Sequence, residues 1–217
     1  MPSSSGHRTH LHGTEILARY GKTYGWELKS RLMGCRDREA AEILIRETGI
    51  SMTADEYLSE RTVKQESLFA FAKPLPGVLS LIKHLKDTNI PIIVATSSCR
   101  ATFLLKAKNN HALFSLFDNN IVCGDDPKIT RGKPAPDIFH VARERLGSPP
   151  ANNCLVFEDA INGVEAAKNA EMNVIWVPHP ALAAIHKDYF GATETLTSLE
   201  HFDPRKYGLP PFPDDEE

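Results

Sequence analysis

The chain has 217 residues, 41% hydrophobic and 24% charged, with a formal net charge of −3. That is room for one α/β core and a smaller appended unit, in the composition range of soluble globular proteins. The slight negative balance gives no basic field for nucleic acid, and no apolar run reaches the length that crosses a bilayer.

Residues 1–13, MPSSSGHRTHLHG, carry no periodicity and read as a disordered leader without the apolar centre of a secretory signal. His7, His10 and His12 read as part of a solvated tail, because nothing near them orients the rings for a metal. The four cysteines, Cys35, Cys99, Cys123 and Cys154, form no CxxC pair and are expected as free thiols in a reducing compartment.

From Thr14 to about Phe71 the apolar residues recur at helical spacing. Ile16, Leu17 and Tyr20 make one short face, and Leu28 with Leu32 another. Ala40, Ile43 and Leu44 make a third, closing at Gly49, and a further helix over 54–71 has Tyr57, Leu58, Arg61 and Val63 near its start. The pattern predicts a small all-helical unit over 14–72. Gly34-Cys35-Arg36-Asp37-Arg38 interrupts it. Arg36 and Arg38 read either as a solvated charge cluster at a helix start or as a basic loop facing a phosphorylated substrate.

Lys73-Pro74-Leu75-Pro76-Gly77 stops one helix and sets up the next, opening an α/β unit over 73–205. A helix with Val78, Leu79, Ile82 and Leu85 inward leads to Ile90-Pro91-Ile92-Ile93-Val94-Ala95, the pattern of a strand buried on both faces. That run ends in Thr96-Ser97-Ser98 and feeds a helix carrying Phe103, Leu104 and Ala107. Ile121-Val122-Cys123 is the next strand and runs into Gly124-Asp125-Asp126. Lys133-Pro134 precedes a helix with Ile138, Val141, Ala142 and Leu146 inward, ended by Gly147. Cys154-Leu155-Val156-Phe157 is a third strand delivering Glu158-Asp159; a helix over 160–170 and a strand at Val174-Ile175-Trp176-Val177 follow. Strand and helix alternate as in right-handed βαβ units, so the sheet is expected to be parallel. Residues 206–217, rich in proline and acid, read as an extended tail.

Three signals carry chemistry. Thr96-Ser97-Ser98 supplies hydroxyls and helix-start amides, which suit a simple N-cap or an anion site. Lys133 is either a solvated loop lysine or a point charge for a phosphoryl oxygen. Glu158 and Asp159 repel one another unless a cation is present; they suit an acidic helix start or a hard-oxygen site for Mg2+. All three fall at successive strand-to-helix junctions, where open parallel sheets bind ligands, so they point at one crevice.

Over residues 14–205 the chain resembles the haloacid dehalogenase-like (HAD) hydrolases. The resemblance rests on Ile92-Ile93-Val94-Ala95-Thr96-Ser97 as the second motif and Gly132-Lys133-Pro134-Ala135-Pro136-Asp137 as the third. Val156-Phe157-Glu158-Asp159-Ala160-Ile161-Asn162-Gly163-Val164, with Ala166, Ala167, Lys168 and Ala170, is the fourth. The likeness is to phosphatases of the glycerol-3-phosphatase and pseudouridine-5'-phosphatase type, with β-phosphoglucomutases more distant. It implies a Rossmann-like α/β core with a parallel sheet, a helical cap domain, and a phosphomonoesterase working through an aspartyl-phosphate. Thr96 and the Ser97 amide would bind the phosphoryl group, and Lys133 would act catalytically by neutralising its charge. Glu158 and Asp159 would hold Mg2+, and Arg36 or Arg38 would reach the substrate from the cap. The partner implied is a small phosphorylated metabolite rather than nucleic acid or membrane, and the chain is expected as a cytoplasmic monomer.

The family's first motif, an Asp-x-Asp on the central strand, is absent: the first aspartate is Asp37, inside the cap. This predicts a sheet lacking its first strand, with two edges unpaired. It also predicts little turnover, because a lost nucleophile costs about a million-fold in a well-studied hydrolase. Three readings stand: a truncated, alternatively spliced or mis-assembled form of a working phosphatase; a non-catalytic protein that keeps a phosphate-ester pocket; and a phosphatase with another nucleophile.

Overall fold

A computed structural model of the chain describes residues 13–69, 73–186 and 190–213, with side chains up to residue 63 in the first stretch. The leader through residue 12, its three histidines and the last four acidic residues lie outside the described residues.

Four helices form the N-terminal unit: α1 (13–18), α2 (Trp26–Leu32), α3 (Asp37–Thr48) and α4 (Ala54–Phe69). Ile16, Leu17, Leu28, Ala41, Leu44, Ile50 and Tyr57 close a small core between them. Gly49 ends α3 at φ 65°, returning its N–H to the Ile45 carbonyl, as the sequence predicts. Thr53 and Glu56 form a reciprocal capping box at the start of α4: the Glu56 carboxylate accepts from the Thr53 N–H at 2.7 Å, and the Glu56 N–H donates to the Thr53 hydroxyl at 3.2 Å. Val63 is 74% exposed, so the buried face of α4 runs through Tyr57 and not through Val63.

The second unit alternates strand and helix: α5 (Val78–Asp87), β1 (Val94–Thr96), α6 (Arg100–Ala107), α7 (His111–Phe114), β2 (Ile121–Cys123) and α8 (Asp137–Arg145), then β3 (Leu155–Glu158), α9 (Ile161–Asn169), β4 (Asn173–Trp176), α10 (Pro180–Ile185) and β5 (Glu194–Thr195). Every strand pair is parallel; Thr96 faces Cys123, and Glu158 faces Trp176. Among the described residues the ladder is interrupted: β1 and β2 form one sheet, and β3, β4 and β5 another. Apolar packing bridges the two. On one face Val94, Ile121 and Cys123 share a layer with Ile175 and Val177, and on the other Val122 joins Val174 and Trp176 under α8 and α9.

Some expectations shift in detail. The run Ile90–Ala95 gives a ladder only from Val94, because Pro91 has no N–H to donate and Ile92 and Ile93 stay half-buried. Leu79 and Leu104 face outward: α5 buries Val78, Leu81, Ile82 and Leu85, and α6 buries Phe103. Residues 206–213, read above as an extended tail, lie against the core. Tyr207, Leu209 and Phe212 pack on the layer beneath α5, and the Phe212 ring sits 4.6 Å from the His84 ring. A ring nitrogen of His84, Nε2, lies 2.9 Å from the Pro210 carbonyl oxygen. A 3-10 turn over Pro204–Tyr207, closed by the Leu209 N–H on the Pro204 carbonyl at 3.1 Å, presents Tyr207 and Leu209, and the proline-rich residues after it lay Phe212 against α5.

Candidate active site

The end of β1 and the loop after it bring Thr96 and Ser97 to the edge of the sheet. The Ser98 N–H donates to the Thr96 hydroxyl at 3.3 Å. The Ser97 hydroxyl donates to the Gly34 carbonyl at 2.7 Å, joining this loop to the linker between α2 and α3. The loop after β2 packs on it so closely that a Cβ on Gly124 would stand 2.3 Å from the Ser97 carbonyl oxygen. One loop residue there takes up a helix-start amide: both Asp125 carboxylate oxygens accept from the Arg100 N–H at 3.0 Å. Part of the anion-binding capacity of the α6 start is therefore already used by the chain itself.

Lys133 enters from the segment before α8 and is only 4% exposed. Its ammonium donates to the Glu158 carboxylate, reaches the Ala95 carbonyl at 3.4 Å and lies 4.8 Å from the Phe139 ring centre. Glu158 is equally enclosed, and its carboxyl group abuts Gly163, where a Cβ would stand 2.2 Å from it. Burial pushes the Glu158 carboxyl up, and the Lys133 ammonium more than offsets this, holding it below the usual range. Asp159 goes the other way: burial, with the charge of Glu158 beside it, raises its carboxyl. The Trp176 indole N–H donates to the Asp159 carbonyl at 3.3 Å.

Two adjacent carboxylates, Glu158 buried and committed to a lysine and Asp159 half-buried, suit a divalent cation. Mg2+ takes one or two protein carboxylates and completes its shell with water and phosphate. No group of three ligating side chains occurs among the described residues. Asp159 with Glu158 therefore fits Mg2+ of this kind, and not an all-protein cage.

Thr96, Ser97, Lys133, Glu158 and Asp159 thus converge on the interruption between the two sheets. Arg36 sits at the seam between the units, donating to the Ile129 carbonyl at 2.9 Å and the Thr130 carbonyl at 3.3 Å. Arg38 pairs with Asp55 at 2.5 Å, and both side chains are exposed.

Three further polar residues stand near these groups, and of them the sequence marks only Asn162, within the fourth motif. Lys29, 3% exposed, lies 3.8 Å over the Trp26 ring, and burial pushes its amine down to about 8 against the pull of Asp159. Its signal was a cation beside Leu28 on an apolar helix face. Asn162 donates to the Met33 carbonyl at 2.9 Å and to Cys35 Sγ at 3.2 Å. Gly34 between them holds φ 81°, and a Cβ there would meet Asn162 Cβ at 3.1 Å. Lys106 on α6 donates to the Ser98 hydroxyl at 2.8 Å.

The chain matches a family model described as a haloacid dehalogenase-like hydrolase over residues 8–171. It is 45% identical over 203 residues to (DL)-glycerol-3-phosphatase 2 of Arabidopsis thaliana, covering 92% of this chain and 83% of that protein. It is 40% identical over 200 residues to a probable pseudouridine-5'-phosphatase of Drosophila melanogaster, covering 92% of this chain and 86% of that protein. In fold it is similar to CbbY from Rhodobacter sphaeroides, solved in complex with phosphate: TM-score 0.75, 23% identity, 92% of this chain and 90% of that one.

Proposed function

Because the chain belongs to the haloacid dehalogenase-like hydrolase family, we propose that it is a Mg2+-dependent phosphatase by descent that holds the monoester of a small phosphorylated metabolite at the sheet edge. The chain carries no Asp-x-Asp from which an aspartyl-phosphate could form, so as sequenced it turns the ester over slowly at most. It works as a monomer in the cytoplasm. The observation that carries the reading is the buried Lys133–Glu158 pair, with Asp159 next to it.

The Thr96 hydroxyl and the Ser97 amide receive the phosphoryl oxygens. Lys133 supplies positive charge from a fixed position: Glu158 and the Ala95 carbonyl hold its ammonium, so little reorganisation is needed as charge builds on a phosphoryl oxygen. Asp159, with Glu158, would hold Mg2+, which when bound offsets the phosphate charge. The names of the relatives, a glycerol-3-phosphatase and a probable pseudouridine-5'-phosphatase, support a small hydroxylated metabolite as the ester.

The test measures phosphate release from a generic phosphomonoester with Mg2+, beside an Asp159→Asn variant and with circular dichroism on the same samples. Isothermal titration with inorganic phosphate, with and without Mg2+, reads binding beside it; phosphate binding that requires Mg2+, with little or no release, is the expected result. Brisk release that vanishes in the variant would mean that another residue serves as nucleophile. A folded chain that neither binds nor releases phosphate would overturn the reading.

A further inference from the structure

All four cysteines are free thiols, and two of them meet where the loop after β1 packs on the end of β2. Cys123 ends β2 opposite Thr96, and its side chain joins the layer that α6 covers with Phe103. Cys99 is the residue before α6, and its carbonyl accepts from the Phe103 N–H at 2.9 Å. The residues next to the two cysteines are bonded to each other: the Gly124 N–H donates to the Ser98 carbonyl at 2.9 Å. With ordinary backbone dimensions this puts the two Cα atoms at most about 8 Å apart, a limit close to the span of a disulfide. The half-buried Cys99 sulfur lies 3.2 Å from the Thr102 hydroxyl, whereas Cys123 is only 5% exposed. Cations flank the pair. Burial pushes the Cys123 thiol up and Arg100 beside it pulls the other way, with Cys99 itself among the groups that act on it. Lys106 interacts with Cys99 in turn. Cysteines beside cations at a helix start are the reactive ones, and phosphate binding gives neither sulfur a task.

We propose that Cys99 and Cys123 are a peroxide-sensitive dithiol, which closes reversibly to a disulfide and locks the Ser97 loop to the end of β2. Hydrogen peroxide reaches Cys99 first, because it is the more exposed of the two. The Cys99 sulfur attacks the peroxide, the O–O bond breaks, and a sulfenic acid and one water result. The Cys123 sulfur then attacks the sulfenic sulfur: the S–S bond forms, the S–O bond breaks and a second water leaves. In sum, two thiols and one peroxide give one disulfide and two waters, and a dithiol reductant reverses the bond by exchange. Such transient, sensing disulfides are the kind a reducing compartment tolerates. Closing the bond draws the start of α6 toward β2, and Ser97 and Ser98 move with it. The other two thiols have different neighbours: Cys35 donates to the Arg31 carbonyl at 3.4 Å and Cys154 to the Pro150 carbonyl at 3.6 Å.

The test treats the full chain with a small excess of hydrogen peroxide, blocks the remaining thiols and maps the tryptic peptides by mass. Residues 87–100 and 109–128, which carry Cys99 and Cys123, are expected as one linked peptide that dithiothreitol separates. Cys99→Ser abolishes the link. Cys123→Ser leaves Cys99 as a sulfenic acid that dimedone traps, and Cys35→Ser combined with Cys154→Ser leaves the link intact. Circular dichroism checks that each protein is folded. Isothermal titration with inorganic phosphate and Mg2+ then compares the two states. The oxidised chain is expected to bind about tenfold more weakly, the scale of one charge-assisted hydrogen bond, and dithiothreitol restores the affinity. This last readout rests on the phosphate-site reading above; the peptide map does not. A folded wild-type chain without the link, or with links to Cys35 or Cys154 just as frequent, overturns the dithiol. A linked chain with unchanged affinity overturns the lock. A reduced chain that binds no phosphate overturns the phosphate-site reading and the lock with it, and the peptide map still decides the dithiol.

Discussion

The Lys133 ammonium joins the Glu158 carboxylate across the interruption between the two sheets, while also reaching the Ala95 carbonyl at 3.4 Å. Where backbone ladder bonds stop, one side chain links the end of β3 to β1. Both charges are almost wholly out of water, so each depends on the other. Glu158→Gln or Lys133→Met alone is expected to cost about 3–5 kcal/mol, because the partner is left as a buried, uncompensated charge. Replacing both, as Lys133→Met with Glu158→Leu, is expected to cost less than either single change. Urea denaturation of the four proteins checks this. The acid side has a definite sign as well. Glu158 has its carboxyl lowered in the folded state, so its stabilising share is present above the usual carboxylate range and is lost as pH falls through the folded value. Glu158→Gln should lack that share of the acid slope.

Gly163→Ala offers a reversal of sign. In an ordinary helix interior this change stabilises by about 0.5–1 kcal/mol. Here the added methyl meets the Glu158 carboxyl group, where a Cβ would lie 2.2 Å away. Destabilisation of about 1–3 kcal/mol is expected, measured by thermal or chemical unfolding. A more stable variant would show that the space around Glu158 is looser than described.

Lys29 gives a pH signature on the alkaline side. Its amine is held at about 8 in the folded state against 10.5 ordinarily, chiefly by burial. Between those values the unfolded chain binds the proton and the folded chain does not, so this group makes stability rise with pH. The slope is at most about 1.4 kcal/mol per pH unit. Subtracting the stability–pH curve of Lys29→Met from that of the wild type should isolate the rise; parallel curves would contradict it.

The C-terminal segment should behave as part of the core. Phe212→Ala removes a half-buried ring packed at a tilt against His84, and about 1–2 kcal/mol is expected, less than the 3–5 of a fully buried phenylalanine. A loss no larger than the scatter between preparations would return the segment to the status of a loose tail.

Legibility in the sequence tracked the range of the interaction involved. The strands at Ile121–Cys123 and Leu155–Glu158 were readable because burial on two faces writes itself as a continuous apolar run. The acidic pair and Lys133 were readable as candidates, but their mutual contact was not, since residues 25 apart each have a plausible life in solvent. In the last dozen residues, proline and acid dominated the composition and masked Tyr207, Leu209 and Phe212.

The first turn of α9 and the loop after β1 grip the same short linker. Asn162, just past the acidic pair, holds Met33 and Cys35, and Ser97, just past β1, holds Gly34 between them. A swing of the helical unit away from the core therefore has to strain or release these bonds. Ser97, whose amide is proposed above to receive a phosphoryl oxygen, is then also a hinge pin, and an opening of the helical unit would slacken it. On that proposal, residence time and mobility of the helical unit become a single quantity.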